Sequence, residues 1–122
     1  MNRERFIRTV QQVLDSLPEQ FRERIHNVAV IVEDRPPEPR RRARPRSLPS
    51  RRKLLMGLFI GTPRTVKSVF DQPLGPDRIV LYQANIEAVC RSEREVREQI
   101  RRTVIHELGH YFGMDEEQLR DV

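Results

Sequence analysis

The segment from Ser92 to Gly113 constrains the fold more than any other part of this 122-residue sequence. Ser92 and Glu95 form the S-x-x-E capping signature, which predicts that a helix begins at Ser92. Gly113 can adopt the left-handed conformation that ends a helix and reverses the chain. Between them, apolar residues recur at helical spacing and predict one buried stripe: Val96, Ile100, Val104 and Leu108. The sequence therefore predicts one long helix that packs along one side.

The second half of this helix carries His106, Glu107 and His110 among residues that are otherwise apolar or small. Residues four apart on a helix are separated by about 40° around the axis and by about 6 Å along it. The two imidazoles should therefore project to the same side, where they can ligate one tetrahedral Zn²⁺. Glu107 should reach a metal-activated water as a general base. Because polar groups in an apolar setting need compensation, we predict a buried metal site here.

A catalytic zinc site usually needs a third protein ligand. Only twelve residues follow His110, so we expect a ligand that is close in sequence. A known spacing places a glycine three residues after the second histidine and the ligand three residues further on, which selects Gly113 and Glu116. Asp115 is the alternative third ligand. It also begins a D-x-x-Q capping signature, which predicts a short terminal helix over 116–121.

The other elements are predicted as a scaffold for this helix. Helical periodicity and short apolar, mostly β-branched runs predict three further helices, at 3–16, 18–24 and 84–90, and three strands, at 28–32, 54–60 and 77–82. Tyr82 ends the third strand, where a buried core tyrosine is the usual interpretation. The alternative is that its phenol donates a hydrogen bond to the oxyanion that develops during hydrolysis.

Positive charge is concentrated in one segment. Arg40–Lys53 contains eight cations in fourteen residues and no acid, and the net charge of the chain is +5. Proline and arginine dominate residues 35–53, which predicts a flexible loop. It is either a solvated insertion or a contact for an anionic partner, such as nucleic acid or an acidic protein. No aromatic residue lies among the cations, so specific nucleic-acid binding by base stacking is not expected.

Composition narrows the class of protein. The chain is 37% hydrophobic and 34% charged, and no apolar run approaches the roughly 18–20 residues of a membrane span. The N-terminal residues lack the apolar region of a secretory signal. Cys90 is the single cysteine, so an internal disulfide cannot form. We expect one domain over residues 1–122, located in the cytoplasm and without a membrane partner.

The stretch His106–Glu116 resembles the extended H-E-x-x-H-x-x-G-x-x-[H/D] motif of the zincin metallopeptidases. Most of the chain also resembles a family of minimal bacterial zincin-like metallopeptidases, through four segments: 30–34 (VIVED), 55–63 (LMGLFIGTP), 76–82 (PDRIVLY) and 101–113 (RRTVIHELGHYFG). The resemblance implies an α+β, zincin-like domain. In such a domain a short mixed sheet of three to four strands packs on the long active-site helix and the N-terminal helices.

The resemblance also implies a function, a zinc-dependent metallopeptidase that cleaves a peptide or protein substrate with Glu107 as the base. That family generally carries Asp where this chain has Glu116. An extended peptide should lie along an exposed sheet edge, with strand 54–61 or 78–82 as candidates. The alternative is a zincin-fold binding module without catalysis, in which Arg40–Lys53 engages an anionic partner.

Overall fold

The computed structural model of the chain describes residues 1–37, 54–61 and 77–114. These residues form four helices and three strands, so the predicted α+β class with a small mixed sheet is confirmed. In chain order the elements are α1 (Arg3–Asp15), α2 (Glu19–Ile25), β1 (Ala29–Glu33), β2 (Gly57–Ile60), β3 (Arg78–Tyr82), α3 (Gln83–Ala88) and α4 (Glu93–Tyr111). None of the described helices is long and apolar enough to cross a membrane.

The sheet has the order β1-β3-β2, with β3 in the centre. β1 pairs with β3 in parallel, whereas β2 pairs with β3 antiparallel. The central position explains why β3 is the most buried strand, with four consecutive buried residues from Ile79 to Tyr82. The expectation that strand 78–82 offers a free edge is therefore wrong. Within the described residues the edge strands are β1 and β2, and β2 is the remaining one of the two predicted candidates.

One apolar core joins the helices to one face of the sheet. Ile79 and Leu81 point into this core, and the alternation of side chains along a strand turns Val80 and Tyr82 to the other face. The predicted stripe of α4 is buried in the core as expected. The other fully buried core residues with large side chains come from the first three helices: Phe6, Phe21 and Ile86.

Both ends of α4 are fixed by local hydrogen bonds. Ser92 is the N-cap, and its hydroxyl accepts a hydrogen bond from the backbone N–H of Glu95 at 3.1 Å. The Glu95 carboxylate in turn accepts from the N–H of Arg91, one residue before the cap, at 2.7 Å. At the other end Gly113 has φ +69°, its N–H donates to His110 O, and the N–H of Met114 donates to Gly109 O. This is a Schellman motif, in which the left-handed glycine lets the last carbonyls of the helix be satisfied.

Candidate metal centre and active site

Helix α4 runs alongside the edge strand β2 in the same direction. Gly57 lies against Thr103, Phe59 against Glu107, and Gly61 against Tyr111. Four residues of helix rise about 6 Å and two residues of strand about 6.6 Å, so the two elements stay in step over three contacts. This shared register places the second half of α4 beside the backbone of the edge strand β2.

Gly57 sets how closely the helix approaches the strand. A Cβ atom built on this residue would lie only 2.6 Å from Thr103 Cγ2, and 3.2 Å from the backbone oxygen of Val80. Real Cβ atoms do not approach other heavy atoms at 2.6 Å, so only glycine allows this packing. The sequence pattern predicts Gly57 only as part of a strand. Its signal was a lone glycine inside a strand, which typically marks a close approach of another backbone or element.

The edge of β2 holds Glu107 in a defined orientation. The backbone N–H of Phe59 donates a hydrogen bond to Glu107 Oε1 at 3.0 Å. On the side of this segment that faces β3, the carbonyl oxygen of Met56 accepts a hydrogen bond from the backbone N–H of Tyr82. Because antiparallel pairing alternates, the backbone groups of Gly57 and Phe59 point away from β3, towards α4. One carboxylate oxygen is therefore fixed by the strand, in a side chain that is half-buried.

His106 and His110 lie beside Glu107, and their ring centroids are 4.5 Å apart. Two imidazoles that share one tetrahedral zinc have ring centroids about 5 Å apart, given Zn–N distances of about 2.0–2.1 Å. The pair therefore fits two ligands of one metal ion. Within residues 1–37, 54–61 and 77–114, no group of three or more His, Cys, Asp or Glu side chains is placed to hold a metal.

The prediction that this site is buried is wrong, because both histidines are exposed. The apolar residues of the same turns, including Val104 and Leu108, are buried on the opposite side of the helix. A helix that packs along a sheet edge buries only one of its sides, and the two imidazoles lie outside that buried side. Exposure also removes the desolvation cost that burial of these groups would have carried.

The remaining predicted site residues are separated from this cluster or lie outside the described residues. Tyr82 points to the sheet face opposite the helical core, and burial, followed by the charge of Glu33, raises the pKa of its phenol. The structure does not bring Tyr82 together with Glu107. Glu116 and Asp115 lie outside the described residues, as does Arg40–Lys53, so the third ligand and the anionic partner stay predictions.

Tyr111 is an aromatic residue next to the site, and the H-E-x-x-H pattern does not single it out. Its ring stacks on Phe59 with a centroid separation of 4.0 Å, and its hydroxyl lies 3.5 Å from Asp77 Oδ2. Phe112 follows, with the guanidinium of Arg24 at 5.3 Å from its ring centroid. These contacts fix the last turn of α4, which carries His110, to β2 and to α2.

Comparisons with known proteins agree with this architecture. Among curated proteins, none matches this chain. Among solved structures, a conserved hypothetical protein from Thermo thermophilus is similar, with a TM-score of 0.54 and 21% sequence identity. The similarity covers 93% of this chain and 100% of that protein, and at such identity it concerns the fold alone. The match to a protein family is more specific. Residues 25–122, which include β2, β3 and the whole of α4, match the zincin-like metallopeptidases, and the chain belongs to that family.

Proposed function

We propose that this protein is a zinc-dependent metallopeptidase that hydrolyses peptide bonds. The observation that carries the proposal is the placement of three side chains on one turn of α4. His106 and His110 lie as a pair that suits one metal ion, and Glu107 is held beside them by the edge strand. Membership of the zincin-like metallopeptidase family supports the same chemistry.

In this proposal His106 and His110 hold zinc, and Glu116 completes the ligand set, with Asp115 as the alternative. Bound zinc would polarise the scissile carbonyl and lower the pKa of a water molecule. The second oxygen of the Glu107 carboxylate would take a proton from the attacking water and deliver it to the leaving amine. Phe59 contributes by holding the other oxygen, which restricts rotation of the carboxylate and keeps it directed at the reaction.

The edge of β2 is the proposed platform for substrate. In this proposal an extended peptide pairs with the outward carbonyl of Phe59, as in strand addition to a sheet edge, whereas Gly57 is buried against α4. The N–H of Phe59 is already used by Glu107. Peptide pairing is therefore interrupted at the position of the general base, which leaves room there for the scissile carbonyl.

Metal analysis tests the ligand assignment. Protein purified without chelator should contain one zinc per chain, and His106→Ala and His110→Ala should each lose it. His26→Ala is the matched control, because His26 is an exposed histidine at the end of α2 and does not belong to the H-E-x-x-H motif. A parent protein without stoichiometric zinc, even after reconstitution, would rule out the proposal.

Glu107→Gln tests the chemistry separately from metal binding. The amide oxygen can still accept from Phe59 N–H, but it cannot take a proton from water. The variant should keep its zinc and its thermal midpoint and lose cleavage of an unfolded polypeptide by at least about 100-fold. Equal cleavage by parent and variant would exclude Glu107 as the base.

A further inference from the structure

A groove of about 250 Å³ begins at Glu107 and continues along α4, between the helix and the residues that lead into β2. Its strand side is apolar, formed by Leu54, Leu55 and Met56. Leu54 and Leu55 are exposed, at 38% and 40% of their surface. The helix side is polar and includes Arg102, one turn before His106. This combination suits a peptide with apolar contacts on one side and a charge on the other.

Arg102 differs from the arginines whose partners are seen elsewhere in the described chain. Arg5 forms an ion pair with Glu93, Arg3 with Asp34, and Arg97 donates to Gln12. No hydrogen bond or ion pair between described residues involves Arg102, although Glu98 lies four residues before it on the same helix. The positive charge of Arg102 also acts on the Cys90 thiol, and its guanidinium carries five N–H donors that suit an anion entering the groove.

We propose that Arg102 selects substrates that carry an acidic side chain about two residues from the scissile bond. This inference rests on the proposed peptidase function and adds its substrate class. Five residues of helix from Arg102 to Glu107 span about 7.5 Å, which matches about two residues of an extended peptide. The acidic residue of the substrate lies on the side of the scissile bond nearer to Leu54. When the peptide pairs antiparallel with β2, this side is C-terminal to the scissile bond. The net charge of +5 favours the approach of acidic peptides in general.

Cleavage of matched peptides tests the selection. Each fluorescence-quenched peptide would contain the same scissile bond between two apolar residues. The set would carry Glu, Gln or Lys at each neighbouring position in turn. At one position, two residues from the bond, the zinc-loaded parent should prefer Glu over Gln by about fivefold in kcat/KM, as for a solvent-accessible ion pair. The preference should weaken at high ionic strength, because salt screens exposed charges.

Variants of Arg102 separate a specific contact from overall charge. Arg102→Gln should bring the ratio of Glu to Gln cleavage close to one, Arg102→Glu should favour Lys, and Arg102→Lys should keep part of the preference for Glu. Arg94→Gln is the matched control, since Arg94 is exposed on the same helix and does not line the groove. Thermal unfolding of each variant checks that α4 is intact. Equal effects of the Arg94 and Arg102 changes would overturn the inference.

Peptide binding supplies a second measurement that does not depend on turnover. In the zinc-loaded Glu107→Gln background, fluorescence anisotropy of labelled peptides should show the same preference for Glu and the same loss in Arg102→Gln. If the parent cleaves no peptide of the set, the proposed function fails. If it cleaves the Glu and Gln peptides equally at every position, only the role of Arg102 fails.

Discussion

Replacing Gly57 by alanine should force α4 and β2 apart and loosen the candidate active site. The added methyl group would start 2.6 Å from Thr103 Cγ2, whereas ordinary contact begins near 3.4 Å. Thr103 is buried and its hydroxyl accepts a hydrogen bond from Gln99 Nε2, so a change of rotamer that moved Cγ2 away would also break that hydrogen bond. The helix itself must therefore shift by about 0.8 Å to restore ordinary van der Waals contact.

The expected cost follows from two opposing terms. Overpacking of a well-packed site costs about 1–3 kcal/mol, and alanine reduces the entropy of the unfolded chain by an amount worth about 0.4–1 kcal/mol. We therefore expect the free energy of unfolding to fall by about 1–2 kcal/mol. A shift along the bond from Phe59 N to Glu107 Oε1 would lengthen it from 3.0 Å to about 3.8 Å, beyond hydrogen-bonding distance. Peptide cleavage should fall more than the loss of folded protein explains.

A double-mutant cycle isolates the proposed clash. Thr103→Ser removes Cγ2 and keeps the hydroxyl that accepts from Gln99. Urea unfolding of the parent, both single variants and the double variant should show a favourable coupling of about 1 kcal/mol. Thr9→Ser is the matched control, because Thr9 is similarly buried on α1, and its effect should add to that of Gly57→Ala within about 0.5 kcal/mol. An unchanged stability for Gly57→Ala, or an absence of relief by Thr103→Ser, would refute the reasoning.

Three further outcomes can be measured on the same protein. Glu107→Ala should lower stability by about 1 kcal/mol relative to Glu107→Gln in urea unfolding, because Phe59 N–H loses its acceptor and Glu107 is only half-buried; equal midpoints would contradict this. Gly113→Ala should cost about 1–2 kcal/mol from the left-handed backbone alone, since a Cβ there meets nothing within 4 Å; Gly113→Asn should cost less, and the reverse order would be inconsistent with a Schellman cap. The pKa of Tyr82 is raised, so the folded state keeps its proton where the unfolded chain has lost it. Stability should therefore be intact below the ordinary pKa of 10.0 and fall as pH rises above it, and Tyr82→Phe should show less of this alkaline loss in pH-dependent melting.

The sequence alone determined the elements whose signals are local. The capping residue Ser92, the buried stripe of α4 and the apolar runs of the three strands are patterns within one short segment, and the structure contains all of these elements. The bounds differ most for the second strand, which is predicted over 54–60 and begins at Gly57. The spacing of His106, Glu107 and His110 is equally local, because helix geometry alone brings residues four apart to one side. The family pattern extended the same information to the chemistry of the site.

Only the tertiary structure decided which side of α4 meets solvent and which strands lie at the edges of the sheet. The order β1-β3-β2 places β3 in the centre, an arrangement that no single strand's pattern specifies. The contact of Gly57 with Thr103 and the hydrogen bond from Phe59 to Glu107 join residues more than forty positions apart. Such contacts depend on how separate elements pack, and periodicity within one element carries no information about its partner. The sequence therefore identified the candidate site residues, and packing on the edge strand set the exposure of the two histidines and the orientation of the Glu107 carboxylate.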